Sequence, residues 1–228
     1  MINRYQVILL AAGKGERMCL PLNKVFYKVR NSKKCVLDYS LQLFLTDERC
    51  EKIVIVYNKD DSEYLDTILD NYQSEKICKC EGGSLRQESV LNGLEYIESD
   101  YVLVHDAARP NVSKDIIEEI IMNLGIYECC APCVKVSDTI KKVSVKVETI
   151  DRENLYYVQT PQGAKTNILK KALENAKEKG IVVTDDLQAI ELDGAYKTKL
   201  TTGDKNNIKI TTKDDLLIME YLLRCKND

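Results

Sequence analysis

Two glycines and two cations near the start of the chain have the residue types and spacing that bind phosphate. The segment Leu10-Ala11-Ala12-Gly13-Lys14-Gly15-Glu16-Arg17-Met18 follows a predicted strand from Gln6 to Ala12. Ligands of α/β proteins bind at the carboxyl ends of such strands. Small residues and glycines let backbone N–H groups approach an anionic oxygen closely. Arg17 and Lys24 add positive charge just beyond the glycines, so the segment by itself indicates either a phosphate-binding loop or an ordinary glycine turn followed by two solvated basic residues.

This loop differs from two well-known nucleotide-binding loops. Met18 stands where the third glycine of a dinucleotide fingerprint belongs, and no acidic residue ends a second strand about 20 positions on. The Gly-Lys-Ser/Thr sequence of the Walker loop is also missing. A dehydrogenase is therefore disfavoured, and the cations next to the loop become its main chemical feature.

The cysteines and the single histidine offer little chemistry of their own. A C-x-x-C occurs within Cys129 to Cys133, but it runs into a strand-like segment, whereas a redox pair normally opens a helix. Cys78 and Cys80 have the wrong spacing for the second half of a zinc site. We expect all nine cysteines to be reduced, most of them buried and inert. With His105 as the only histidine, histidine metal sites are also set aside.

Composition limits the classes of partner. The 228 residues are 44% hydrophobic and 30% charged, with a net charge of −3, which is ordinary for a globular protein. An acidic balance predicts no nucleic-acid partner, which usually requires a basic face. No apolar run approaches the roughly 20 residues of a membrane helix. The N-terminus has no signal-peptide pattern, so we expect a cytoplasmic protein.

Short apolar runs alternate with helical periods along most of the chain. Such alternation predicts βαβ units and a mostly parallel sheet covered by helices on both faces. We therefore expect an α/β fold with a single Rossmann-like domain over residues 1–228. The predicted strands are Gln6 to Ala12, Lys52 to Tyr57 and Tyr101 to Val104, and the predicted helices are Val36 to Leu45, Ser62 to Tyr72, Gln87 to Ile97, Ile116 to Leu124 with Ser113 as N-cap, and Leu216 to Leu223 with Thr212 as N-cap.

One segment departs from this alternation. Val143, Val145 and Val147 alternate with polar residues within residues 139–150, a period of two that indicates antiparallel strands. Ser144 and Lys146 provide a weak turn signal. A two-stranded arm is marginally stable alone and cannot bury its apolar face. We expect a protruding arm at about residues 137–154 that docks on a second copy of the chain.

Taken together, several motifs resemble the 2-C-methyl-D-erythritol 4-phosphate cytidylyltransferase family of GT-A-like nucleotidyltransferases. The loop is similar to its A-A-G-x-G-x-R-M, and His105-Asp106-Ala107-Ala108-Arg109-Pro110 matches its H-D-A-A-R-P in full. The other matching segments are Asn23-Lys24, Gly82-Gly83 with Arg86 and Ser89, Asp138 to Lys141, Thr149 to Arg152, Thr160 to Gln162, Thr184 to Asp186, and Asn207 to Lys209. The chain departs from the pattern at Leu10, at Ser84-Leu85 in the nucleotide-binding turn, at Gly163-Ala164, at Leu187 and in a short arm turn.

The resemblance implies a reaction in which a phosphate oxygen of the acceptor attacks the α-phosphorus of CTP and pyrophosphate leaves. It also implies a Mg²⁺ or another divalent cation, held by Asp106 and the phosphates. The implied catalytic residues are Arg17, Lys24, Arg152 and Lys209. The implied nucleotide-binding residues are Ala11, Ala12, Gly13, Gly83, Ser89, Asp106 and Ala107. The residues implied to bind the acceptor, a sugar-alcohol phosphate, are Arg109, Thr139, Arg152, Thr160 and Lys209.

In that family the arm crosses to a second subunit, so the resemblance implies a homodimer in which Thr139 and Arg152 serve the neighbour's site. His105 is expected to be a structural residue at a strand end. Two alternatives remain at this point. One is a ribitol 5-phosphate cytidylyltransferase with the same fold, and the other is a non-catalytic nucleotide-binding homologue.

Overall fold

The computed structural model describes residues 4–13, 22–30 and 32–225. Its strands are β1 (Tyr5–Leu10), β2 (Cys50–Tyr57), β3 (Ile77–Glu81), β4 (Tyr101–Asp106), β5 (Cys129–Lys135), β6 (Ile140–Val143), β7 (Val147–Ile150), β8 (Tyr156–Val158), β9 (Gln162–Lys165) and β10 (Thr198–Thr202). Its α-helices are α1 (Val36–Leu45), α2 (Ser62–Leu69), α3 (Arg86–Leu94), α4 (Lys114–Leu124), α5 (Thr166–Glu178), α6 (Asp186–Asp193) and α7 (Lys213–Cys225).

The central sheet is mostly parallel, as predicted. Its strand order is β10-β5-β9-β4-β1-β2-β3, with β8 paired to β5. The pairs of β1 with β2 and β4, of β2 with β3 and of β5 with β10 are parallel. The short strand β9 runs antiparallel between β4 and β5, and β8 is antiparallel to β5. β1 therefore lies inside the sheet, and its carboxyl end is adjacent to that of β4.

Helices cover both faces of this sheet because the strand side chains alternate between two cores. Tyr5, Val7 and Leu9 face the core that contains α1, α2 and α4. Ile8 faces the core that contains α3, α5 and α6. This alternation confirms the predicted two-sided coverage of a buried parallel sheet. No helix in the described parts of the chain is long and apolar enough to cross a membrane.

The predicted helices are present, with shifted ends. α2 ends at Leu69 rather than Tyr72, because the Asn71 amide donates to the Thr67 and Ile68 carbonyls and closes the helix. α3 ends at Leu94 rather than Ile97. α7 begins at Lys213, three residues before the predicted Leu216, directly after the cap Thr212. The caps are confirmed: Ser113 Oγ accepts from Ile116 N–H, and Thr212 Oγ1 accepts from Asp215 N–H.

The predicted arm is a separate two-stranded sheet. β6 and β7 are antiparallel, with Ile140 opposite Ile150 and Val143 opposite Val147. Val143 is 74% exposed and Val147 is 67% exposed. The described part of the chain therefore leaves the valines of the arm uncovered, while Ile140 and Ile150 are partly buried.

Seven of the nine cysteines are free thiols in the structure. They are Cys35, Cys50, Cys78, Cys80, Cys129, Cys130 and Cys133, of which five are buried and two are intermediate. Burial raises the pKa of the Cys35, Cys50 and Cys130 thiols to about 12. These thiols stay protonated near neutral pH, in agreement with the inert role expected for them.

Candidate active site

The carboxyl ends of β1 and β4 open into a cavity of about 680 Å³. It is lined by Leu10, Ala11, Ala12, Gly13, Lys24, Val25, Asn58, Gly83, Ser84, Leu85, Arg86, Ser89, Asp106, Ala108, Lys209 and Thr211. Eight residues singled out from the sequence are among them, namely Ala11, Ala12, Gly13, Lys24, Gly83, Ser89, Asp106 and Lys209. A mostly parallel sheet binds ligands at this edge. We therefore call this cavity the cleft.

Asn23 fixes the position of Lys24 in the cleft. Its amide nitrogen donates to the Ala11 carbonyl oxygen at 2.8 Å and to the Asp61 carboxylate at 2.9 Å. Its side-chain oxygen accepts from the Val25 N–H and caps a 3₁₀ turn over Lys24–Phe26. The end of β1 and the lysine turn are thus tied together, and Lys24 lines the same cleft as Ala12 and Gly13.

A tight turn after β3 forms the opposite wall. Gly83 N–H donates to Ser89 Oγ at 3.1 Å, which joins the turn to α3. A Cβ on Gly83 would lie 2.4 Å from Glu88 Cβ, so only glycine fits. Glu88 Oε2 accepts from Ser84 N–H, Ser84 Oγ–H and Leu85 N–H. The hydrogen bonds from Ser84 lower the pKa of Glu88. Glu88 therefore supplies to the turn the carboxylate that Ser84 and Leu85 lack.

Asp106 ends β4 on the floor of the cleft. Its Oδ2 is 2.7 Å from Lys209 Nζ, and its Oδ1 is 3.6 Å from Arg86 Nε. Burial raises the pKa of this carboxyl, but the nearby Arg86 and Lys209 outweigh burial and hold the pKa well below its usual range. Asp106 is therefore ionised, and it alone carries a carboxylate among the described residues that line the cleft.

The side chains of the cleft suit a metal ion whose other ligands come from nucleotide phosphates and water. No group of three or more His, Cys, Asp or Glu side chains that could hold a metal occurs among the described residues. Mg²⁺ is commonly bound by one or two carboxylates together with substrate phosphates and water. Asp106 can provide one such oxygen ligand, so a nucleotide-bound Mg²⁺ is compatible with the floor of the cleft.

Lys209 reaches the cleft because its segment is fastened to the residues after β4. Ile210 N–H donates to the Ala108 carbonyl oxygen at 2.9 Å. Arg109 Nη1 donates to the Asn207 carbonyl oxygen at 2.7 Å. The Asn207 amide nitrogen donates to the Thr160 carbonyl oxygen at 3.0 Å. Residues about a hundred positions apart in the sequence are therefore held side by side.

His105 is fully buried behind the floor of the cleft. Its Nε2 is 3.2 Å from the Arg109 carbonyl oxygen, which can only accept, so Nε2 carries the proton. Thr160 Oγ1 accepts from the Asp106 N–H and lies 3.0 Å from Nδ1, so its hydroxyl donates to this unprotonated ring nitrogen. Burial lowers the pKa of His105 to about 4. This neutral, enclosed ring agrees with the structural role expected for it.

The remaining predicted residues lie in three places. Ala107 and Thr160 are buried next to Asp106, and Arg109 braces the segment that carries Lys209. Thr139 and Arg152 are exposed on the arm, outside the set that lines the cleft, and Arg152 donates to the Ser137 carbonyl. Arg17 lies outside the described residues.

Three charged residues of the site were not assigned roles from the sequence. Arg86 lines the cleft and pairs with Asp186, which is buried at the start of α6. Both fall within matching motifs, at Gly82 to Ser89 and at Thr184 to Asp186. Their spacing of 100 residues gives no local signal that they meet. Glu88 was also overlooked, although a glutamate three residues after a helix N-cap is a known capping pattern.

The cleft combines cations, one ionised carboxylate and backbone groups, without a nucleophilic side chain next to a base among the residues that line it. Lys24, Arg86 and Lys209 are its described cations. Such an arrangement binds phosphates and stabilises charge that develops on them, which is what transfer of a phosphoryl or nucleotidyl group requires.

Comparison with known proteins agrees with this chemistry. The family model described as 2-C-methyl-D-erythritol 4-phosphate cytidylyltransferase matches residues 5–225. Proteins of that name from Clostridium botulinum (strain Okra / Type B1) and Bacillus cereus are 41% and 38% identical, and each alignment covers 96–97% of this chain and 98% of the relative. The crystal structure of 4-diphosphocytidyl-2C-methyl-D-erythritol synthase from Anaerococcus prevotii superimposes with a TM-score of 0.85 at 27% identity, covering 97% of this chain and 96% of that one.

Proposed function

We propose separate roles for the residues of the cleft and of the arm, because the chain belongs to the 2-C-methyl-D-erythritol 4-phosphate cytidylyltransferase family. Its function is to transfer CMP from CTP to 2-C-methyl-D-erythritol 4-phosphate, giving 4-diphosphocytidyl-2-C-methyl-D-erythritol and pyrophosphate in the non-mevalonate isoprenoid pathway. This family membership favours methylerythritol phosphate over ribitol 5-phosphate. The observation that carries the proposal is the meeting of Lys24, Asp106 and Lys209 in one cleft.

The chemistry explains why this cleft is cationic. The attacking phosphate oxygen is already an anion, so the reaction requires no general base. The obstacle is to bring two anions together while negative charge builds on the α-phosphoryl oxygens. Positioning and fixed positive charge supply most of the catalysis in such reactions. The burial and low pKa of His105 accord with a mechanism without histidine acid–base catalysis.

The nucleotide occupies the side of the cleft formed by β1 and the turn before α3. Backbone groups of Ala11, Ala12 and Gly13 bind the phosphates, while Gly83, Ser89 and Ala107 lie nearer the cytidine. Lys24 stabilises the α-phosphoryl transition state and the leaving pyrophosphate. Arg17 shares this role. Its place in the loop, between Gly15 and Lys24, supports that assignment.

A divalent cation accompanies the nucleotide. When bound, Mg²⁺ neutralises charge on the phosphates, and Asp106 is the residue that would hold it. The fixed position of Asp106 at the end of β4, and its ionised state, support this assignment.

The acceptor phosphate binds between the cleft and an arm. Lys209 and Arg109 come from the chain that forms the cleft, with Thr160 behind them. Thr139 and Arg152 come from the arm of a second copy, so the active protein is a homodimer. The exposed valines of the arm support this arrangement, because a partner surface would cover them. The chain forms a single domain with an arm at about residues 137–154, and it works in the cytoplasm.

The assay is pyrophosphate release from CTP with methylerythritol 4-phosphate and, separately, with ribitol 5-phosphate. We expect turnover with the first acceptor, a much lower kcat/KM with the second, and loss of turnover in excess chelator that Mg²⁺ reverses. Equal kcat/KM for the two acceptors would refute the acceptor assignment. Full activity in excess chelator would refute the metal assignment.

A further inference from the structure

Arg86 occupies a position between two carboxylates that its neighbours in the cleft do not share. Its Nη1 and Nη2 donate to the two oxygens of Asp186 at 3.0 and 2.8 Å. Its Nε lies 3.6 Å from Oδ1 of Asp106. Burial lowers the pKa of Arg86, but the Asp186 and Asp106 carboxylates more than offset it and raise the pKa. Arg86 is therefore a permanent charge that links the floor of the cleft to α6.

The anchor of Arg86 is itself rigid. Asp186 has only 2% of its side chain exposed. Its backbone N–H donates to Gln162 Oε1 at 2.9 Å, and the Gln162 amide nitrogen donates to Asp185 Oδ2 at 3.0 Å. Gln162 lies in β9, opposite Val104 of β4. The first turn of α6 is thus fastened to the strand beside the one that ends in Asp106.

The two cations around Asp106 differ in how they are held. Lys209 contacts Oδ2, and its side chain is 40% exposed. Arg86 contacts Oδ1, has 26% of its side chain exposed and is fixed by two hydrogen bonds to a buried carboxylate. In the proposed function Lys209 also binds the acceptor phosphate, so Arg86 is the cation beside Asp106 that has no second role.

We propose that Arg86, anchored by Asp186, is a positioning residue that holds the Asp106 carboxylate in the orientation needed by the cation that accompanies the nucleotide. The inference rests on the proposed function. A lysine at this position would keep the charge but could not engage both Asp186 oxygens and Asp106 together, because only the planar guanidinium presents several donors in a fixed fork. Groups that orient a metal ligand in this way typically contribute about 10- to 100-fold to metal affinity or activity.

The test compares Arg86→Lys with Arg49→Lys. Arg49 also bridges two carboxylates, Asp47 and Glu118, but it lies outside the set that lines the cleft. Binding of Mn²⁺ with CTP, without acceptor, is measured by calorimetry and by the Mn²⁺ electron paramagnetic resonance spectrum, alongside Tm. We expect Arg86→Lys to weaken Mn²⁺·CTP binding about 10- to 100-fold. The KM for the acceptor should stay near that of the wild type. Arg49→Lys should lower Tm yet bind Mn²⁺·CTP as the wild type does.

Asp186→Asn provides a second variant in case Arg86→Lys does not fold. This variant retains the Arg86 guanidinium but removes the carboxylate charge that anchors it. Because charged hydrogen bonds are stronger than neutral ones, Mn²⁺·CTP binding should weaken several-fold. The proposal is wrong if the folded Arg86 and Asp186 variants bind Mn²⁺·CTP as the wild type does, or if Arg49→Lys weakens binding equally. Failure of the wild type to release pyrophosphate from CTP would instead overturn the proposed function.

Discussion

The cleft and the arm carry predicted functional residues in opposite structural settings. In the cleft, Asp106 is 7% exposed and paired with two cations, and its strand lies between β1 and β9. In the arm, Val145 is fully exposed, and Arg152 is exposed with a backbone carbonyl as its recorded partner. The cleft is preorganised by the core of its own chain. The arm holds its residues on two short strands, and its valines are exposed.

This difference divides the proposed functions of the two regions. A preorganised cleft can bind a nucleotide with little rearrangement, which lowers the entropic cost of binding. An arm that docks on a second copy can deliver Arg152 to a site only after association. Nucleotide binding should therefore depend on one chain, and acceptor use on two.

The largest effect should come from the cations of the cleft. We expect Lys24→Ala and Arg17→Ala to lower kcat by about 10²–10³-fold, the scale for removing one preorganised charge-stabilising group. Because both side chains are expected to face the cleft, Tm should change little. Lys114→Ala, at the exposed start of α4, is the control and should keep wild-type kcat. A folded Lys24→Ala protein with wild-type kcat would remove that residue from the mechanism.

A smaller but more selective effect should come from the arm. Val143→Asp places a charge on the surface proposed to dock, and we expect about a 10-fold or larger loss of kcat/KM for the acceptor as the dimer dissociates. Binding of CTP should be retained. Val182→Asp is a matched control, since Val182 is 64% exposed but lies in the loop before α6. Sedimentation measures the association, and an intact dimer with full activity would contradict the role of the arm.

A still smaller effect should appear at the rim of the cleft, where Glu88 organises the Gly83 turn. Glu88→Gln replaces charged hydrogen bonds by neutral ones, so we expect KM for CTP to rise about 3- to 10-fold with little change in kcat. The preference for CTP over UTP should narrow. Glu63→Gln, on the exposed surface of α2, is the control. Equal kcat/KM for CTP and UTP in the wild type would show that the turn does not select cytosine.

The smallest effect on activity is expected from the ionisation of His105. Because its ring should stay neutral near pH 7, it should contribute no pH dependence to activity there. Because His105 is the only histidine, the imidazole C–H signals in proton NMR come from this residue alone. With a pKa of about 4 against an ordinary 6.5, the ring should remain neutral in the folded protein at pH 6. The unfolded chain binds this proton below pH 6.5, so stability should fall between pH 6.5 and 4, by about 3 kcal/mol in total. A titration midpoint between pH 6 and 7 would contradict the enclosed geometry.

The sequence predicted the parts of the fold that depend on local patterns. Alternating apolar runs located β1, β2 and β4, and the N-caps Ser113 and Thr212 were predicted correctly. The predicted range of α7 nevertheless began too late, because apolar periodicity begins at Leu216, whereas the cap Thr212 implies a start at Lys213. Strand β9 was not predicted, because Gln162-Gly163-Ala164 has none of the branched residues of a typical strand. Gly163 is needed there because a Cβ would lie 2.6 Å from Ile120.

The sequence predicted which residues lie in the cleft, but it did not predict the ion pairs that hold them. Motif matches found Lys24, Asp106 and Lys209, which the fold brings to one place. The link from Asp106 through Arg86 to Asp186 could not be predicted, because it joins the starts of two helices that are far apart in the chain. We propose that Thr139 and Arg152 act at a site of a second copy, and the contacts between two copies cannot be derived from patterns within one chain.

Mixing two inactive variants tests most directly whether the cleft and the arm act across two chains. An Arg152→Ala chain retains its cleft, and a Lys24→Ala chain retains its arm. In a mixed dimer, one site combines the intact Lys24 of one chain with the intact Arg152 of the other, while the second site carries both defects. Random exchange makes about half of the dimers mixed, so roughly a quarter of wild-type activity should return. If mass measurements verify the exchange and no activity returns, Arg152 does not act across the interface.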